Sequence, residues 1–132
     1  MYRSEAAFSA ALRRSWKAKG YFVQRVESPT TGRGTPDLYV ETPDYGYWIE
    51  LKVEHVPLLP KAVRSVQVHW RPGQQAWMLS KYRASKCTRP CFTFVAFDDC
   101  IAAISMTKVF PGNEVQKSDI LRTWKSAGDI FL

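Results

Sequence analysis

Apolar positions near the start of the chain recur three and four residues apart, at Phe8, Ala11, Leu12 and Trp16. That spacing predicts a helix over residues 4–19, with Ser4 as its N-cap and Gly20 as its stop. The period then shortens to two. Tyr21 to Val26 is rich in aromatic and β-branched residues and predicts a strand. Leu38 to Thr42 and Tyr47 to Val53 predict two more, joined by a turn at Pro43-Asp44-Tyr45-Gly46. Ser28 to Thr35, rich in Gly, Pro and Thr, reads as a loop. Glu54 to Gly73 contains Pro57, Pro60 and Pro72 and reads as a long loop with a short strand at Ser65–His69. Loops of that length in compact domains are often functional. Gln74 to Arg83 predicts a helix entered through Pro72 and Gly73, with Trp77 and Met78 on one side. Strands are expected at Cys91–Phe97 and Ile101–Met106, around an Asp98-Asp99 turn, and a last helix over about Lys117 to Ser126, ended by Gly128. The order of elements is that of a mixed α/β domain.

Strand alternation puts chemistry on one face. Glu50 and Lys52 share a face of their strand, while Ile49, Leu51 and Val53 turn to a core. On the preceding strand Leu38 and Val40 face that core, and Asp37 and Tyr39 face away. If the hairpin pairs Thr42 with Tyr47, then Tyr39 meets Glu50 and Asp37 meets Lys52, and opposed residues share a face. Asp37, Glu50 and Lys52 then converge with neighbours roughly 5–8 Å apart. A one-residue slip would misalign both the polar cluster and the apolar faces.

Two carboxylates beside an ammonium suit a hard divalent cation such as Mg²⁺, which takes oxygen ligands and completes its shell with water and substrate phosphate. The main-chain carbonyl of Leu51 is a candidate third ligand. A cation there would acidify a bound water and neutralise phosphate charge. Lys52 would hold or help deprotonate the attacking water and stabilise the transition state. Glu5 precedes Phe8 and Leu12 by three and seven residues, on the inward face of the first helix, and is a further candidate ligand, for a second metal.

The chain has 132 residues, enough for one ordinary domain. It carries 19 Lys+Arg against 12 Asp+Glu, a net charge of +7, which favours a polyanionic partner, with nucleic acid ahead of an acidic membrane surface. Arg33, Lys61, Arg64, Arg71 and Lys81 flank the predicted site and are candidate DNA phosphate contacts. Arg13, Arg14, Lys17 and Lys19 read instead as a solvated helix face. Cys87, Cys91 and Cys100 form no CxxC pair and have no His at zinc-finger spacing, which points to reduced thiols. No apolar run approaches a membrane span or a signal core, so a soluble, intracellular protein without a membrane partner is expected.

Pro36-Asp37 followed by Glu50-Leu51-Lys52 resembles the two motifs of the PD-(D/E)xK nuclease superfamily. Within it, the chain resembles the stand-alone VRR-NUC (virus-type replication-repair nuclease) type of phages and bacteria. The residues that carry this are Glu5, Gly34-x-Pro36-Asp37-Leu38, Trp48-Ile49-Glu50-Leu51-Lys52, and Arg71-Pro72-x-Gln74-x-x-Trp77. The resemblance spans roughly residues 4–97. It implies a restriction-endonuclease-like, three-layer core, with a mixed central sheet flanked by helices, in a single nuclease domain over 1–132. It implies Mg²⁺ or Mn²⁺, a cytoplasmic setting in a bacterial or phage-infected cell, and hydrolysis of branched or flapped DNA. Gln74, with Gln75 as the alternative, matches the family's active-site glutamine. Similar-sized Holliday junction resolvases act as homodimers, which would need an exposed apolar patch such as Phe92–Phe97 or Ile130-Phe131-Leu132. The long proline-bearing segment after Lys52 departs from the family pattern. The reading is therefore a metal-dependent, junction-resolving endonuclease. The alternatives are a flap or restriction-type nuclease, and a nuclease fold that only binds nucleic acid.

Overall fold

A computed structural model describes residues 1–26, 34–86 and 88–132. Most of the expected 28–35 loop, with Arg33, lies outside the described residues, as does Cys87. Helix α1 (Glu5–Ala18) begins where Ser4 Oγ accepts the Ala7 N–H at 3.1 Å, and ends before Gly20, whose φ of +83° suits glycine. Phe8, Leu12 and Trp16 are each fully buried, one turn apart. Trp16 packs edge-on against Phe94 at 5.7 Å, and its Nε1 donates to the Ile130 carbonyl at 3.0 Å.

The main sheet has six strands: β1 (Phe22–Arg25), β2 (Leu38–Glu41), β3 (Gly46–Val53), β5 (Cys91–Ala96), β6 (Ile101–Ser105) and β8 (Ile120–Trp124), in the order β1-β2-β3-β5-β6-β8. β3 and β5 are parallel, and every other pair is antiparallel. A parallel pair needs a long crossover. Here it carries the short β4 (Ser65–Gln67) and helix α2 (Gln74–Ala84). The two central strands are nearly continuously buried, as a strand covered on both faces must be. One face packs Leu38, Val40, Ile49 and Leu51 under α1, and the other packs Val95, Ala102 and Ile104 under Met78 of α2 and the crossover. The result is helix, mixed sheet, then helix with crossover.

Three expectations change. The hairpin pairs Glu41 with Gly46 and Val40 with Tyr47, so the register is two residues from the expected one. Thr42 is the cause, because its Oγ1 accepts the Asp44 and Tyr45 N–H groups and draws it into the turn. A slip of two keeps every side chain on its face. The 54–73 segment is a folded layer: Leu58, Val66, Val68 and Trp70 are buried, β4 pairs with β7 (Glu114–Gln116), and the Asp99 carboxylate accepts the Leu58 and Leu59 N–H groups at 2.9 Å. The last helix is absent. Lys117–Asp119 is one 3-10 turn, and Ile120–Trp124 is the edge strand on β6. Ile120, Leu121 and Trp124 fit a helical stripe as well as a strand, and only the pairing with β6 decides between them. The final residues clamp α1, with Ser15 Oγ donating to the Ala127 carbonyl and Lys19 Nζ to the Gly128 carbonyl.

Candidate active site

The site lies in a fork where β2 and β3 part. Their ladder ends at Leu38–Ile49. In that register Asp37 comes next, opposite Glu50, with its main chain turned to Val26 on the β1 side; the next pair that would exchange hydrogen bonds is Pro36 with Leu51, and proline has no N–H to give. The Trp48 and Glu54 N–H groups bond to the Pro90 and Ala96 carbonyls on the β5 side, so by alternation Leu51 turns its main-chain groups toward β2. There the Asp37 carboxylate takes over: Oδ2 accepts the Leu51 N–H at 2.8 Å. The Leu51 carbonyl points the same way and meets no donor from Pro36. Asp37 and Leu51, with Glu5, Ser9, Arg13 and Arg25, line one cavity of about 240 Å³.

Glu50 and Lys52 fall on the alternate face of β3, as expected, and are 1% and 3% exposed. Lys52 Nζ lies 3.8 Å from Glu50 Oε1 and 3.9 Å from Glu5 Oε1, an ammonium held between a buried and an exposed carboxylate. Glu5 was expected to face inward; its side chain is half exposed, yet it reaches Lys52 and the cavity from the first turn of α1. A buried cation with close carboxylates and little competing water is where electrostatic stabilisation is strongest.

Asp37 and the Leu51 main chain meet at the fork and line the cavity, while Glu50 is buried beside Lys52; carboxylate and carbonyl oxygens are the ligand type that Mg²⁺ or Mn²⁺ takes. Among the described residues no group of three or more His, Cys, Asp or Glu side chains is gathered to hold a metal on protein ligands alone.

Gln74 opens α2, is 2% exposed, and its Oε1 accepts the Arg71 N–H at 2.7 Å. The start of α2 touches the loop before Asp37: a Cβ on Gly34 would sit 2.5 Å from the Gly73 carbonyl oxygen. Gln75 instead bonds Phe110 and Asn113. Lys61, Arg64, Arg71 and Lys81 are exposed, with the Lys81 ammonium over the Trp77 ring at 5.2 Å. Trp70 is core, stacked on Phe110. Phe92–Phe97 sits on an interior strand and Ile130 is fully buried, so of the expected apolar patches Phe131, at 68% exposure, is the side chain left open. Arg13 and Arg25 were not anticipated at the site. Glu5, Ser9 and Arg13 form a polar line at helical spacing, with Arg13 Nε bonded to Ser9 Oγ at 3.2 Å, a signal present in the sequence. Arg25 arrives only through its pairing with Leu38.

No family model matches the sequence, and no curated protein matches it. A solved structure does share the fold. The Holliday junction resolvase Hjc of the archaeal hyperthermophile Archaeoglobus fulgidus superimposes with a TM-score of 0.56 over 81% of this chain and 83% of its own, at 13% identity. The fold is restriction-endonuclease-like. Among the described residues no helix is long and apolar enough to cross a membrane.

Proposed function

We propose that this protein is a divalent-cation-dependent endonuclease that hydrolyses phosphodiester bonds in branched DNA, in the manner of a Holliday junction resolvase. The observation that carries the reading is the fork, in which Pro36 ends the ladder and Asp37 is held on the Leu51 N–H in a cavity shared with Glu5. Glu50 and Lys52 stand buried on the same strand as Leu51. The nuclease fold shared with Hjc supports it, as does the net charge of +7. The assignment to the VRR-NUC type rests on the sequence motifs.

Asp37, Glu50 and the Leu51 carbonyl would hold Mg²⁺ or Mn²⁺, with Glu5 as a further ligand. Such a cation, when bound, lowers the pKa of a water and offsets charge on the phosphate. Lys52 carries three N–H donors and no acceptor while charged, so it holds a phosphate oxygen or the attacking water. Its burial removes competing solvent and raises the worth of each contact. Arg13 and Arg25 can hold the same phosphodiester from the α1 and β1 sides. Water adds to phosphorus as the bond to the leaving sugar oxygen breaks. Paired cuts on a four-way junction require two such sites, hence a homodimer.

The test is cleavage of a labelled four-way junction beside flap, nicked and linear duplexes, in Mg²⁺ with and without EDTA, with Lys52→Ala as control. Paired, chelator-sensitive cuts on the junction, lost in the variant, support the reading. Preference for a flap or duplex reassigns the substrate. Binding without cutting in any divalent metal leaves a nucleic-acid-binding protein on a nuclease fold.

A further inference from the structure

Glu54 extends the even-numbered row of β3 one step beyond Lys52 and is 8% exposed. Both its oxygens serve one residue. Oε2 accepts the His69 main-chain N–H at 2.8 Å, and Oε1 lies 2.6 Å from His69 Nδ1. The His69 side chain itself is 76% exposed. A carboxylate accepts and does not donate, so Nδ1 carries the proton in this bond and Nε2 is the outward atom of the ring. A bond to the main chain alone would serve the fold. The second bond fixes the orientation of a ring that otherwise stands in water.

The surroundings give that ring a purpose. From Ser65 to Arg71 the chain alternates: Val66, Val68 and Trp70 are buried, while Gln67, His69 and Arg71 are exposed. The backbone is a strand over Ser65–Gln67 and then turns tightly at His69, where the Trp70 N–H bonds the Val68 carbonyl at 2.9 Å, and the alternation of exposure carries through that turn. The strip is held from beneath, by the β4–β7 pairing, by the Val68 N–H on the Asn113 carbonyl at 2.9 Å, and by Asn113 Nδ2 on the Trp70 carbonyl at 3.2 Å. It ends at the start of α2, where the loop before Asp37 abuts Gly73. Exposed Lys61 and Arg64 precede it.

We propose that Gln67, His69 and Arg71 form a ledge for the phosphodiester backbone of a strand leading to the site, with His69 its central contact and Glu54 the residue that positions it. This rests on the nucleic-acid reading above. The doubly protonated ring keeps its bond to Glu54 and turns Nε2–H outward. Gln67 adds an amide donor and Arg71 a guanidinium, a set of donors that matches phosphate oxygens and reads no base.

The experiment is fluorescence anisotropy of a labelled four-way junction and a linear duplex, in EDTA, at about pH 6, over about 50–200 mM KCl. Each phosphate contact contributes about 0.9 to the slope of log affinity against log salt. His69→Ala should lower the slope by about one and weaken binding several-fold at low salt. His69→Arg should restore the slope, Glu54→Gln should lower it in part, and Lys125→Ala, beyond the far edge strand, should leave it unchanged. Thermal melting of each variant reports folding separately. An unchanged slope in His69→Ala overturns the ledge, and leaves the nuclease reading intact if the wild type still cuts DNA. A lowered slope in a protein that cuts nothing in any divalent metal keeps the ledge and removes the nuclease reading. A wild type that binds neither probe overturns the ledge.

Discussion

Gly34→Ala tests whether the loop before Asp37 is placed by backbone contact with the start of α2. Gly34 has φ +86°, a conformation that costs an alanine about 1–2 kcal/mol. Its added Cβ would also lie 2.5 Å from the Gly73 oxygen, 2.7 Å from the Gly73 carbonyl carbon and 3.2 Å from the Gln74 nitrogen. Favourable contacts are about 3.5–4 Å, so one backbone must retreat by roughly 1 Å. Overpacking of that kind costs about 1–3 kcal/mol, for a total of about 2–5 kcal/mol. Gly73→Ala is the matched control: φ is +89°, but nothing lies within 4 Å of its Cβ. It should cost only the conformational part, about 1–2 kcal/mol. Urea unfolding of the two variants separates contact from conformation. Asp37 follows Gly34 by three residues, so the same shift should lower cleavage by about 10²-fold in Gly34→Ala. Equal destabilisation of both variants, or full cleavage by Gly34→Ala, would refute the placement.

Lys52→Ala should lower cleavage by at least about 10²-fold, since it removes a donor aimed at developing charge; Lys52→Arg, with different reach and geometry, should not restore it. Burial pushes the Cys91 thiol up to about 11, and burial with the neighbouring Asp99 charge pushes Cys100 up to about 12. In a Cys87→Ser background, maleimide should therefore label neither thiol at neutral pH until urea unfolds the chain. Trp16→Phe deletes the donor to the Ile130 carbonyl and should cost about 1–3 kcal/mol by urea unfolding, more than the lost bond alone because a buried carbonyl is orphaned. Burial pushes the Asp99 carboxyl up, but the Leu58 and Leu59 N–H groups outweigh it and hold the group below its ordinary 3.8. A depressed carboxyl stabilises the fold above its unfolded pKa and loses that contribution as pH falls through the folded value. Asp99→Asn should thus flatten the stability profile below 3.8, and an unchanged acid limb counts against the clamp.

How much of this was legible in the sequence depends on what fixed each feature. Helix α1 was readable because Ser4, Phe8, Leu12, Trp16 and Gly20 all state one local preference. The convergence of Glu50 and Lys52 was readable because alternation is a property of the strand alone. The hairpin register was not, because the turn set it: both pairings leave a four-residue loop, and the Thr42 hydroxyl selects between them. Because the error was even, each side chain kept its face, but Tyr39 meets Trp48 instead of Glu50, and Asp37 falls opposite Glu50 instead of Lys52. Residues 117–126 were misread for a different reason. Their apolar positions satisfy two periods, and the deciding partner, β6, is brought alongside only by the assembled sheet. Arg25 and the Glu54–His69 pair are invisible for the same reason, since each becomes a neighbour through long-range pairing. Pro36 is a local feature whose effect only the fold displays. Read in the sequence alone, it is the proline that precedes Asp37. In the fold, its missing N–H ends one ladder, leaves the Leu51 carbonyl without that donor, and lets the next residue's carboxylate take the Leu51 N–H. Pro36 thus opens a fork in the sheet, and Asp37 stands where the fork begins.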